Sequence, residues 1–276
     1  MSVVCATSFS ERSASAVRAA AALAGRLGKP LVLVHAAPDE EQREAAALEM
    51  EDALRRLRAR TGLVVEGQVV VGPAAEAVAR FANSRRADLL VIAGAHAQAS
   101  RLGTPDAVLQ HCAVPCLVVR EGEPFEAWAT GERPLKVVLG VDASVPFAAA
   151  RGLAAKLAEH GPVSVTAAHV YWPPVEYARL GLPQPLMFTE PDLALEEVLT
   201  GEVAREVGAL APGALPRVRL WIGMGWTGDQ LVALATEEGA DLLIVGTHRR
   251  RGVTRLWSVS HHAVRNAPMS VASIPA

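Results

Sequence analysis

The sequence predicts an α/β protein built twice, as two doubly wound, parallel, five-stranded domains in tandem. Three observations carry this. Short apolar runs alternate with longer stretches of helical spacing, the pattern of strands joined by crossover helices. The same order of runs recurs in the second half of the chain. And although 51% of the residues are hydrophobic, only 4% are aromatic. The core is therefore drawn from Ala, Val and Leu, as in parallel sheets covered on both faces.

The repeat is explicit. Val3-Val4-Cys5-Ala6-Thr7-Ser8 corresponds to Val137-Val138-Leu139-Gly140-Val141-Asp142, and Leu31-Val32-Leu33-Val34-His35 to Val165-Thr166-Ala167-Ala168-His169, both at an offset of 134. Ala87-Asp88-Leu89-Leu90 recurs as Ala240-Asp241-Leu242-Leu243, and Gly72 matches Gly225, at an offset of 153. The rise from 134 to 153 gives the second copy 19 extra residues between His169 and Gly225. The segment Tyr171 to Pro191, with five prolines and an aromatic cluster, is their natural place.

Strands are expected near 3–8, 31–36, 64–71, 88–93 and 116–120, then near 135–142, 163–170, 217–223, 241–246 and 269–274. Residues 39–60 place Ala46, Met50, Ala53, Leu54 and Leu57 on one helical stripe with charges opposite. Asp39 reads as the N-cap and Gly62 as the stop. Thr227-x-x-Gln230 has the spacing of a capping box at a helix start. The first domain is read as 1–122 and the second as 135–276. Residues 123–134, rich in Gly, Pro, Glu and Arg, are read as the linker.

Composition excludes several classes. A net charge of −2 with mixed signs leaves no basic footprint for nucleic acid. No run approaches the roughly 20 apolar residues of a membrane span. The first apolar run, Val3 to Ala6, has no charged segment before it, so no signal peptide is expected. Three cysteines (Cys5, Cys112 and Cys116) in apolar settings do not make a disulfide framework. The expected compartment is reducing, the cytoplasm.

At this point the chain resembles the universal stress protein family. Ala6-Thr7-Ser8-Phe9-Ser10-Glu11 looks like that family's first strand and turn, and Val141-Asp142-Ala143-Ser144 is a closer match. Ala240-Asp241-Leu242-Leu243-Ile244-Val245-Gly246-Thr247-His248 resembles its fourth strand and following loop, and Ala263 to Pro268 its final helix entering strand five. The resemblance covers nearly the whole chain twice. It implies two flavodoxin-like domains paired as an intrachain pseudo-dimer through their last strands, with a homodimer as a further level of assembly.

In an open doubly wound sheet a ligand sits beyond the carboxyl ends of the strands, where the strand order reverses. The family order puts that crevice between strands one and four. Nucleotide-binding members use an acid after strand one for the nucleoside and a loop of form G-x-x-G-x9-G-[S/T] for the phosphates. Glycines let backbone N–H groups approach an anion, and the next helix N-terminus adds its dipole. Carried onto the second copy, the candidate nucleotide-binding residues are Asp142, Ala143, Ser144, Val170, Gly246, His248, Arg249 and Ser258. Arg249 stands at the second glycine position, and Trp257-Ser258 where Gly-Ser is expected after a shortened loop. The first copy departs further, with Ser8 for the acid and Ala97 at the second glycine position.

Two readings follow. In one, the second copy binds ATP, with Arg249, Arg250 or Arg251 replacing lost backbone donors by charge. In the other, the site is degenerate and the arginines form a solvated loop. The leading functional expectation is a stress-associated regulatory or binding protein with weakened or lost nucleotide binding. The alternative is an ATP-binding, slowly ATP-hydrolysing protein using the second site. No Gly-x-Ser-x-Gly elbow, Walker motif or G-x-G-x-x-G appears, so no catalytic residue is assigned.

Other features have a plain reading beside a sharp one. His35 and His169 end their second strands and are expected to bond to backbone. His96 and His248 flank the crevice. His111, Cys112 and Cys116 supply too few local ligands for zinc, and His261-His262 point about 100° apart on a helix. Tyr171, Trp172 and Tyr177 anchor the 171–191 insertion, which is either a lid or protein-partner surface or a loop packed on its own domain.

Overall fold

The computed structural model describes residues 2–94, 104–142, 144–184, 192–213, 215–223, 226–247 and 258–276. The first half runs β1 (Val3–Ala6), α1 (Glu11–Arg26), β2 (Leu31–Ala37), α2 (Glu40–Thr61), β3 (Val65–Val71), α3 (Ala74–Ser84), β4 (Leu89–Ala93), α4 (Thr104–His111) and β5 (Cys116–Val119). After α5 (Glu123–Thr130) the second half follows as β6 (Leu135–Gly140), α6 (Val145–His160), β7 (Val163–Tyr171), α7 (Pro173–Leu180), α8 (Leu193–Val207), β8 (Arg217–Ile222), α9 (Thr227–Glu237), β9 (Leu242–Thr247), α10 (Val259–Asn266) and β10 (Ser270–Pro275). No helix among the described residues is long and apolar enough to cross a membrane.

The ten strands among the described residues join one sheet in the order β3-β2-β1-β4-β5-β10-β9-β6-β7-β8. Each half is parallel, and β5 meets β10 antiparallel with Val118 opposite Val271. These two residues differ by 153, the offset of the late repeat, so the seam lies on a local two-fold axis. The pairing covers the edge strand that each half would otherwise leave with open N–H and C=O groups.

Right-handed crossovers decide the faces. Moving outward from β1 to β3 puts α1 and α2 on one face, and the return through β4 and β5 puts α3 and α4 on the other. Strand side chains alternate accordingly. Val3 and Cys5 join the core under α1, α2, α5, α6 and α8, whereas Val4 joins the core under α3, α4, α9 and α10.

α2 is built as its sequence predicts. Asp39 Oδ1 accepts from the Gln42 N–H at 2.9 Å, Gly62 ends the helix at φ 65°, and Ala46, Met50, Leu54 and Leu57 are buried. Two expectations are corrected. The 123–134 connection contains α5, whose Phe125 and Trp128 are fully buried. Each such side chain is worth about 2–3 kcal/mol of burial, enough to hold a short helix on α1. The capping box at Thr227 does not form, because the helix begins one residue early with Trp226 at the N-cap and no side-chain cap bond. Gln230 Oε1 instead accepts from the Trp221 indole at 2.5 Å.

Candidate functional site

The strand order reverses between β6 and β9, and again between β1 and β4. At the second-half reversal β6 ends and the chain turns through Asp142 into α6. Asp142 is exposed. Its Oδ1 accepts from the Ser144 backbone N–H at 3.2 Å and from the Ser144 hydroxyl at 2.6 Å, while Oδ2 has no partner among the described residues. Ser144 thus serves the carboxylate rather than the helix it precedes, and α6 starts with no side-chain cap. The positive end of the α6 dipole therefore sits beside the Asp142 charge.

Gly246, near the end of β9, packs on that same helix start. A Cβ there would lie 2.8 Å from Pro146 Cβ. Close helix–strand packing therefore requires glycine here, whatever a ligand requires. Asp142, Ser144 and Gly246 are brought together around the first turn of α6. Val170 is half-buried on β7 and packs where a Cβ on Gly223 would meet its Cγ1 at 2.8 Å. Ser258 is the N-cap of α10, accepting from the His261 N–H at 3.3 Å and sharing a 3.1 Å bond with Ser260. Ser260 in turn donates to Thr247 Oγ1 at 2.8 Å, tying α10 to the end of β9. Ala143, His248 and Arg249 lie outside the described residues, as do Arg250, Arg251, Trp257, His96, Ala97 and Gly225.

The first half fills the equivalent edge with its own side chains. Phe9, at φ 57°, stacks on the His35 ring with centroids 4.6 Å apart. Ser8 bonds Ser10 at 2.9 Å. Arg120, leaving β5, covers Gly94 so closely that a Cβ there would lie 2.6 Å from its Nη1. Its other N–H groups donate to the carbonyls of Val264 at 2.6 Å and Ala267 at 3.2 Å, which cap the C-terminus of α10 across the seam. Burial lowers the Arg120 pKa, opposed by the charge of Asp106.

The strand-end histidines are satisfied by backbone. Nδ1–H of His35 donates to the Thr7 carbonyl and that of His169 to the Val141 carbonyl, each at 2.8 Å. The three cysteines are free and buried. The Cys116 thiol pKa is raised by its hydrogen bond with Cys112 and by burial. His262 pairs with Asp229 at 2.6 Å, and buried His261 faces buried Asp106 at 3.8 Å. Among the described residues no group of three or more His, Cys, Asp or Glu is placed to hold a metal.

The insertion is split in character. Tyr171 and Tyr177 are buried, donating to Glu196 at 2.9 Å and to Asp192, so they pin β7 and α7 to the start of α8. Trp172 is 41% exposed and Val175 58%. Sequence reasoning missed Phe9 and Arg120. An arginine directly after an apolar strand run was the only signal of the second.

The universal stress protein family profile matches residues 1–120 and again 135–275. No curated protein matches the chain. Among solved structures, a universal stress protein from Archaeoglobus fulgidus DSM 4304 aligns with a TM-score of 0.68 at 17% identity, covering 99% of this chain and 98% of that one. One from Pseudomonas aeruginosa UCBPP-PA14 gives 0.64 at 14% identity, over 99% and 92%. Identities this low speak for the fold alone.

Proposed function

Since the chain belongs to the universal stress protein family in both of its halves, we propose that it is a stress-associated regulatory binding protein whose ligand site is the second-half crevice, with weakened affinity for ATP. The observation that supports this is the asymmetry of the two switch points. Asp142 stands exposed with one carboxylate oxygen unengaged among the described residues, whereas Phe9 and Arg120 cover the first-half edge. Gly246 and the Ser258 hydroxyl are both committed to packing and capping, which argues for weakened phosphate binding. Three free cysteines support a reducing compartment, the cytoplasm.

Titration calorimetry with ATP tests the reading. A weak binding heat that Asp142→Ala removes is the expected result. No heat in the wild type refutes nucleotide binding, and heat unaffected by the substitution moves the ligand elsewhere. The exposed Trp172 and Val175 support a second element, a protein partner at the 171–191 loop. Trp172→Ala is expected to weaken that interaction without lowering thermal stability.

A further inference from the structure

A groove of about 790 Å³ opens on the outer surface of the first half, floored by α1 and walled by α2 and α5. It runs from Ser10 to Arg26, about 24 Å at 1.5 Å per helical residue. That it stays open follows from the sequence. The offset of 134 pairs Val17 with Arg151, Ala22 with Lys156 and Gly25 with Glu159. In the second half Arg151 spans from α6 to the end of α8, donating to the carbonyls of Val207 and Ala209. Val17 is too short to span, so the first-half trough stays open while its counterpart is bridged.

The groove is polarised. Arg26, Arg56 and Arg60 line it toward the C-terminal ends of α1 and α2, and Glu11 lines the opposite end. Arg26 and Arg60 have no carboxylate partner among the described residues, and Arg56 shares Asp52 with Arg55. The second half carries a match on the same face of the sheet. α8 has 15 residues, about 22 Å. Its outward side exposes Leu193 (80%) and Val198 (42%) with small Ala194 and Gly201. Exposed Glu197 sits near its start, and exposed Arg205, whose charge also acts on Glu202, sits near its end.

We infer that the groove receives α8 of a second copy of this chain. Strand directions oppose each other across the β5–β10 seam. A two-fold axis along the strands, between two such faces, therefore lays the partner's α8 antiparallel to α1. Glu197 then meets the Arg26–Arg60 end, Arg205 meets Glu11, and the helix dipoles oppose. The arrangement is reciprocal, so each copy gives one helix and one groove and the assembly closes at two.

Sedimentation equilibrium of the full chain tests this. A dimer is expected, lost in Val17→Arg, which copies the bridging residue of the second half, and lost independently in Val198→Arg, with circular dichroism unchanged in both. Equimolar mixing of those two variants is expected to restore association through one intact contact. Arg60→Glu or Glu197→Arg alone is expected to raise the dissociation constant about tenfold, with the double charge swap recovering most of the loss. A monomer at every concentration, a dimer indifferent to Val17→Arg and Val198→Arg, or growth beyond two copies would each overturn the inference. So would a monomer that takes up dodecanoate and loses it in Val17→Arg, which would make the groove a site for amphipathic anions.

Discussion

Replacing Trp128 by alanine is expected to destabilise the whole chain by about 2–4 kcal/mol, a large effect for a residue in the connection between two domains. Removing a fully buried tryptophan costs about 3–5 kcal/mol in lost burial and cavity formation. Against this, the indole N–H is buried with no hydrogen-bond partner among the described residues, and deleting an unsatisfied donor returns about 1 kcal/mol. At ~2.1 cal/mol/K per residue, 276 residues give an unfolding entropy of roughly 0.6 kcal/mol/K, so the midpoint falls by roughly 3–7 K. Trp128→Phe keeps most of the apolar contact and removes the orphan donor, so its cost stays under about 1 kcal/mol. The neighbour supplies an internal check. A Cβ on Gly161 would sit 2.5 Å from the indole Nε1, so Gly161→Ala costs about 1–3 kcal/mol. That cost shrinks in the Trp128→Phe background, because the colliding atom is gone. Urea unfolding of the wild type, the single variants and the Gly161→Ala, Trp128→Phe double variant measures all terms. A Trp128→Ala loss below about 1 kcal/mol, or a Gly161→Ala penalty indifferent to the side chain at position 128, would refute the reasoning.

Other consequences are equally direct. Asp39→Ala removes the N-cap bond to Gln42 and is expected to lower stability by about 1 kcal/mol in urea unfolding. Gly246→Ala drives a methyl group against Pro146 and is expected to cost about 1–3 kcal/mol, whether or not ATP is present. Asp192 has its pKa lowered by the Tyr177 hydroxyl, and Glu202 by Arg179. Depressed carboxylate pKa values stabilise the fold above the unfolded values and lose that contribution as pH falls through the folded ones. Protection factors for hydrogen exchange in α7 are therefore expected to fall upon acidification before those in β6 or β9 do. Arg120→Ala strips the cap from α10 and is expected to cost about 2–3 kcal/mol, measured as a drop in unfolding midpoint.

The strands were legible because each is a short run of β-branched and aliphatic residues between breakers, and because a second copy of each run confirmed the first. α2 was legible down to Asp39 and Gly62, since a cap and a left-handed stop are local chemistry. α5 was hidden because two aromatic residues in a segment crowded with Gly, Pro, Glu and Arg make no stripe. The Thr227 spacing misled by one residue, and backbone entry angle rather than composition decides which residue becomes the cap. Asp142 and Gly246 could be read from motif position. That Gly246 is held by Pro146 and Gly94 by Arg120 could not, because both contacts join segments apart in sequence. Phe9 turned inward through a left-handed backbone that its residue type does not announce.

The seam between β5 and β10 is made within one molecule. Two separate subunits joined by the same strands would come apart on dilution, whereas halves on one chain face each other at an effective concentration in the millimolar range. Their pairing is thus independent of how much protein a cell holds. Identity is no longer enforced either. In a symmetric dimer every substitution appears on both sides of the axis, but here Phe9 stacks on His35 in one half while Asp142 stands exposed in the other. The covalent tether is what lets the two halves diverge residue by residue while their sheet stays continuous.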